Sequence, residues 1–186
     1  MSSKTEMGGT PMEAESKKEF WSWGKSLFAA VIIAILVRQF LFTPVIVSGE
    51  SMEPTYHDRN RVVISKISSL DHFDKIVFHA PTAKEDFIKR VIGLPGDTVV
   101  MKDDVLTING KEYPEHYLDS NKAALPDGQN LTQDFEVTVP KGQLFVMGDN
   151  RTNSMDSRIF GSIDEDSVVG KVKFRFYPFS EIGSPE

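Results

Sequence analysis

Three short segments hold nearly all the residues that could do chemistry. The first, Ser48-Gly49-Glu50-Ser51-Met52-Glu53-Pro54-Thr55, brackets Ser51 between a glycine and a proline. Glycine admits backbone conformations that other residues resist, and proline biases the residue before it away from helix. The chain must therefore turn sharply or run extended here, and it presents a hydroxyl. The second, Phe87-Ile88-Lys89-Arg90-Val91-Ile92-Gly93-Leu94-Pro95-Gly96-Asp97, sets two cations side by side among apolar neighbours. The third, Gly148-Asp149-Asn150-Arg151-Thr152-Asn153-Ser154-Met155-Asp156-Ser157-Arg158, packs acids, amides, hydroxyls and two arginines into eleven residues. Each has a plain structural reading when taken alone: a turn-forming serine, a strand cation beside a capping one, a solvated polar loop.

Together they satisfy a chemical requirement. A serine hydroxyl is a weak nucleophile until a base takes its proton, and a lysine can do so only when neutral. Unperturbed lysine, at about 10.4, is charged at neutral pH, but loss of water around the amine lowers that value by up to roughly 3 to 5 units. Strand alternation puts Phe87, Lys89 and Val91 on one face and Ile88, Arg90 and Ile92 on the other, so Lys89 has apolar company. Arg90 cannot serve as the base, because guanidinium keeps its proton. The third segment would then be a rigid scaffold, with an Asp–Arg ion pair holding the loop and a hydroxyl orienting the amine. Metal chemistry is not indicated. The chain has no cysteine, and His57, His72, His79 and His116 are scattered without ligand spacing such as H-x-x-x-H, so they read as surface or satisfied polar residues.

The elements that must position these groups follow from composition. Residues 1 to 23 are rich in Ser, Glu, Lys, Gly and Met and read as a disordered tail on the cytoplasmic side. An apolar segment over 24–43 follows, unbroken from Leu27 to Val37, and it is just long enough to cross a bilayer. Arg38 lies near its far end, where a long side chain can reach the headgroups, and Lys17, Lys18 and Lys25 favour a cytoplasmic N-terminus. The short core also fits a cleaved leader. Against that reading, Phe40, Leu41 and Phe42 continue the apolar run past Arg38, and no A-x-A site follows.

About 140 residues then remain, enough for one domain with a core. Net charge is −6, with about +1 on the first 43 residues and about −7 on the rest, which argues against nucleic acid as a partner. Runs rich in Val, Ile and Phe predict strands at Arg61 to Ser65, Lys75 to His79, Asp86 to Ile92 and Thr98 to Met101. Val105 to Ile108, the Asn109-Gly110 pair and Lys111 to Tyr113 predict a hairpin with a type I′ turn. Residues 114 to 133 read as a long polar loop. Phe135 to Val139 and Gln143 to Met147 predict a second hairpin, and Val168 to Tyr177 the last strand. The fold class is therefore mostly β: an antiparallel β-barrel-like catalytic domain, closed or nearly so, preceded by a single transmembrane helix.

In this order after one N-terminal anchor, the three segments resemble those of the bacterial type I signal peptidases, in a compact form like that of the Gram-positive branch. The likeness runs from about residue 25 to about residue 178. It implies a membrane-bound serine endopeptidase, without cofactor, that removes N-terminal signal peptides from exported pre-proteins. Ser51 would be the nucleophile and Lys89 the general base. Ser154 would orient the lysine, and Asp149, Asp156, Arg158 and Arg90 would form the scaffold. The partners would be signal-peptide-bearing pre-proteins and the lipid bilayer, with residues 44 to 186 acting outside the cytoplasm as a monomer. One position departs from the pattern: some relatives place a serine two residues before the nucleophile as an oxyanion donor, where this chain has Gly49. The backbone N–H of Ser51 must then carry more of that role. Because Ser51 lies eight residues past Thr43, it stands at most about 28 Å from the membrane exit. Two other readings stay open: a self-cleaving Ser-Lys repressor, which would need a DNA-binding domain, and a tethered β-domain without activity.

Overall fold

The computed structural model describes residues 11–126 and 128–185. The chain divides into two compact units, one ending at Leu41 and one beginning at Phe42. The first contains α1 (Pro11–Phe40). Residues 11 to 23, read as tail from their polarity, are helical in the structure. Pro11 is preorganised for a first helical position, and the Met, Glu, Ala and Lys that follow are strong helix formers. The remainder of the expected tail, residues 1 to 10, lies outside the described residues. Leu27, Phe28, Ile33 and Ile35 on α1 are all exposed. Among the described residues no helix is long and apolar enough to cross a membrane.

The second unit is built from antiparallel strands: β1 (Phe42–Ile46), β2 (Arg61–Ser65), β3 (Lys75–His79), β4 (Asp86–Gly93), β5 (Thr98–Lys102), β6 (Val105–Ile108), β7 (Lys111–Tyr113), β8 (Phe135–Thr138), β9 (Gln143–Met147), β10 (Ile163–Asp164) and β11 (Val168–Tyr177). Two short helices interrupt them, α2 (Asp119–Ala123) and α3 (Ser157–Phe160). Strand order is β1-β2-β11-β3-β4-β9-β10 in the larger sheet and β7-β6-β5-β8 in the smaller. Asn109 and Gly110 turn the β6–β7 hairpin with φ of 53° and 78°, as a type I′ turn requires.

Mostly antiparallel β is the observed class, but closure is not observed. Among the described residues no pairing joins β1 to β10, so the larger sheet is open. Its edges are blunted instead. β1 carries Pro44, which has no N–H to offer a further strand, and β10 is only two residues long. Register shifts in β11 and at Val91/Gly93 of β4 are the kind of irregularity that bends and twists a sheet.

Burial explains where the reactive segments sit. β4 is buried from Ile88 to Gly93, with Ile88 in one apolar cluster, Ile92 in a second and Val91 in a third. Met52 and Tyr56 join Val62, Ile64, Val77 and Val172 in the first of these. Burying two such side chains contributes about 1.5 to 3 kcal/mol each, which holds the turn between them against the sheet.

Candidate active site

Ser51 opens a run of turns that extends to Tyr56, as its glycine and proline demand. Gly49 has φ of 83°, a left-handed conformation that a side chain disfavours, and its N–H donates to Asp58 Oδ1 at 2.9 Å. That conformation is a physical reason for glycine at this position. Across from the turn, β4 delivers Lys89. Its Nζ lies 2.6 Å from Ser51 Oγ and 5.2 Å from the centre of the Phe87 ring, and the residue is 3% exposed. Burial pulls the Lys89 pKa down to about 8. Asp156 and Asp149 pull it back upward, and Arg158 pushes it further down.

Beside the amine, Arg90 points into the other face of β4 and forms a two-pronged pair with Asp149: Nε to Oδ1 at 2.9 Å and Nη2 to Oδ2 at 2.7 Å. Both side chains are buried, and Thr55 donates its hydroxyl to the same carboxylate. Burial opposes the guanidinium charge, but the hydrogen bonds and charge of Asp149 outweigh it and raise the Arg90 pKa. Removing one partner from such a pair costs about 3 to 5 kcal/mol, because the other charge is left buried alone.

Asp156 holds the polar loop together. Its carboxylate accepts from Gly148 N at 2.9 Å and from Arg158 Nε and Nη2 at 2.8 and 2.7 Å. Burial pushes its pKa up, yet Arg158 and the Gly148 N–H win and hold it below the ordinary carboxylate value. Arg158 Nη1 also donates to the Arg151 carbonyl at 2.8 Å. The Ser154 Oγ is buried and makes no hydrogen bond of good geometry among the described residues, to Lys89 or to another group, though it stands close enough to the Asp156 carboxylate to help hold its pKa down. Ser51 N–H likewise meets no acceptor among them.

Sequence reasoning passed over several residues that join these parts. Asn150 staples the loop to the nucleophile turn, donating N–H to the Ser51 carbonyl at 3.0 Å and Nδ2 to the Glu50 carbonyl at 3.2 Å. Gly148 lies so close that a Cβ there would stand 2.5 Å from the Ser51 carbonyl oxygen. Thr55, Glu115, Tyr117 and Asn121 were missed as well. For Asn150 and Gly148, their place in a dense polar motif beside Asp149 was the available signal. For the residues between 114 and 133 there was none, since their partners lie far off in sequence.

A turn serine within hydrogen-bond reach of a desolvated lysine, on open antiparallel sheets, is the arrangement of a serine endopeptidase whose base is an amine. The chain belongs to the family described as "Signal peptidase, peptidase S26", which matches residues 20–177. It is 48% identical to Signal peptidase I T of Bacillus subtilis (strain 168), over 96% of this chain and 97% of that one. It is 44% identical to Signal peptidase IB of Staphylococcus aureus (strain Mu50 / ATCC 700699), over 89% of this chain and 93% of the relative. The crystal structure of a signal peptidase I from Enterococcus faecalis V583 is similar with a TM-score of 0.55 at 44% identity, covering 56% of this chain and 97% of that one. The resemblance to compact Gram-positive forms therefore holds across the length of the chain.

Proposed function

We propose that the chain removes N-terminal signal peptides from exported pre-proteins, with Ser51 as nucleophile and Lys89 as general base. The observation that carries this reading is the 2.6 Å separation of Lys89 Nζ from Ser51 Oγ at a buried amine. Neutral Lys89 takes the Ser51 proton as Oγ adds to the scissile carbonyl. The Ser51 N–H donates to the oxyanion, a contribution on the order of 3 kcal/mol in comparable sites. Lys89 then returns its proton to the leaving amine, giving an ester on Ser51. Water attacks the ester, Lys89 accepts that water's proton, and the proton passes to Oγ as the acyl group leaves.

Asp149 with Arg90, and Asp156 with Arg158, are the scaffold in this reading, because the first pair ties the polar loop to β4 and the second folds that loop on itself through Gly148 and Arg151. Ser154 orients the amine in this reading, with its hydroxyl buried in the polar loop near the Asp156 carboxylate. The substrate's residues one and three before the cut are small, by the family resemblance. The catalytic unit acts outside the cytoplasm as a monomer at the bilayer surface. What supports an anchor is the run of exposed apolar side chains from Leu27 to Leu36, with Lys25 before it and Arg38 after it. Tethering enzyme and precursor to one membrane raises their effective concentration without any new contact.

The deciding experiment is cleavage of a purified signal-peptide-bearing precursor by the detergent-solubilised protein. Ser51→Ala and Lys89→Ala should each abolish cleavage while staying folded. Full activity in either variant would remove the assignment.

A further inference from the structure

Residues 114 to 133, polar and read from sequence as a loop, make contacts that a solvated loop does not make. Glu115 and Arg151 form an ion pair with both side chains almost completely buried. The Tyr117 hydroxyl donates to the same Glu115 carboxylate and accepts from Arg151 Nη2 at 3.1 Å. The Tyr117 ring centre lies 3.7 Å from Arg90 Cζ and 6.0 Å from Arg151 Cζ, so one aromatic ring serves both buried arginines. Arg151 in turn donates Nε to the Gly148 carbonyl at 3.0 Å. A few residues on, in α2, Asn121 Nδ2 reaches the Glu53 carbonyl at 3.4 Å and the Asp149 carbonyl at 3.3 Å. These two carbonyls belong to the nucleophile turn and to the polar loop.

We propose that the segment from Glu115 to Asn121 is a clamp that fixes the distance between Ser51 and Lys89, with Glu115, Tyr117 and Asn121 as positioning residues for catalysis. The clamp rests on the Ser51–Lys89 assignment above. Its logic is mechanical. Ser51 and Lys89 sit on separate elements, the turn and β4, and no covalent constraint sets their separation. Asn121 joins the turn to Asp149, and Asp149 is joined to Arg90, the neighbour of Lys89 on β4. Glu115 and Tyr117 hold Arg151 and the face of Arg90, so the two ends of the bridge are braced from one segment. Displacing a reacting group by about 1 Å can cost on the order of a hundredfold in rate, which gives such a brace a catalytic consequence without any contact to substrate.

The test compares kcat and KM for a signal-peptide-bearing precursor, measured well below each variant's melting midpoint, in the full-length protein. Asn121→Ala removes both donors. Asn121→Asp keeps the shape but presents only acceptors to two carbonyls, so a packing change cannot account for its effect. Each should lower kcat by about tenfold or more with KM within about twofold. Tyr117→Phe keeps the ring over Arg90 while losing the hydroxyl, and should fall between these variants and the parent. Glu115→Gln, which can still accept from Arg151, should be milder than Glu115→Ala. A purely structural role would lower the melting midpoint and leave kcat of the folded fraction at the parent value; that result, with activity still dependent on Ser51, would overturn the clamp alone. Cleavage that survives Ser51→Ala would overturn the dyad assignment and the clamp together.

Discussion

Gly148 packs against the backbone of Ser51 so closely that no side chain larger than hydrogen fits between them. A Cβ at residue 148 would meet the Ser51 carbonyl oxygen at 2.5 Å and the Ser154 side chain as well. The contact is to backbone on one side, so it cannot be relieved by turning a flexible side chain. Gly148→Ala must displace the nucleophile turn, the polar loop or both. Forcing a methyl into packed space costs about 1 to 3 kcal/mol. The variant should remain folded with a lowered melting midpoint, and its kcat should drop at least tenfold, measured on a purified precursor. Parent-level kcat would mean that the position of Ser51 is not set from this side.

The pH dependence of kcat/KM should report the amine. With Lys89 at about 8, roughly a tenth of the free enzyme carries the neutral base at pH 7. The rate should therefore climb nearly tenfold per pH unit below that value and level off above it. Lys89→Arg keeps a cation but never a free lone pair, so it should be inactive across the same range. A profile flat from pH 5 to 8 would contradict a lysine base.

Function at this position comes at the expense of stability, and the sign can be worked out. The folded pKa of Lys89, about 8, lies below the unfolded value of 10.5. Between those values the unfolded chain binds the proton and the folded one does not, so stability rises with pH through that window. Below about pH 8 both states are protonated, and the folded state carries a desolvated cation costing roughly 3 kcal/mol. Lys89→Met should thus be inactive yet more stable than the parent at pH 7 by denaturant melting. Its advantage should shrink as pH is raised from 8 toward 10.5. A variant less stable than the parent at pH 7 would show that the amine is better solvated than its burial indicates.

The sequence alone reached unequal distances into this molecule. β2, β3, β6, β9 and β11 fall where runs of Val, Ile and Phe between turn residues put them, and β7 where the Asn109-Gly110 turn does, because these signals are local. β1 was absorbed into the apolar run before it: Phe42 and Thr43 look like the end of a membrane segment, and only pairing with Ser65 and Ile64 of β2 makes them strand. The open shape of the larger sheet, against the near-closed barrel expected, depends on which strands find partners at β1 and β10, which periodicity does not encode. Ser51, Lys89, Arg90, Asp149, Asp156 and Arg158 were all legible, since each stands in a dense motif. Glu115, Tyr117 and Asn121 were not, because each meets partners from about 30 to 70 residues away, and nothing in their own neighbourhood marks them. Asp104 is similar: it accepts from the backbone N–H groups of Leu131 and Thr132, an order that composition reads as loop.

The most direct measurement is a titration of the Lys89 side-chain nitrogen itself, by nitrogen-15 NMR of the folded, detergent-solubilised protein, with Lys89→Met giving the assignment by difference. The midpoint should lie near 8, matching the acidic limb of kcat/KM. A midpoint at the ordinary lysine value of about 10.4 would contradict a desolvated lysine base.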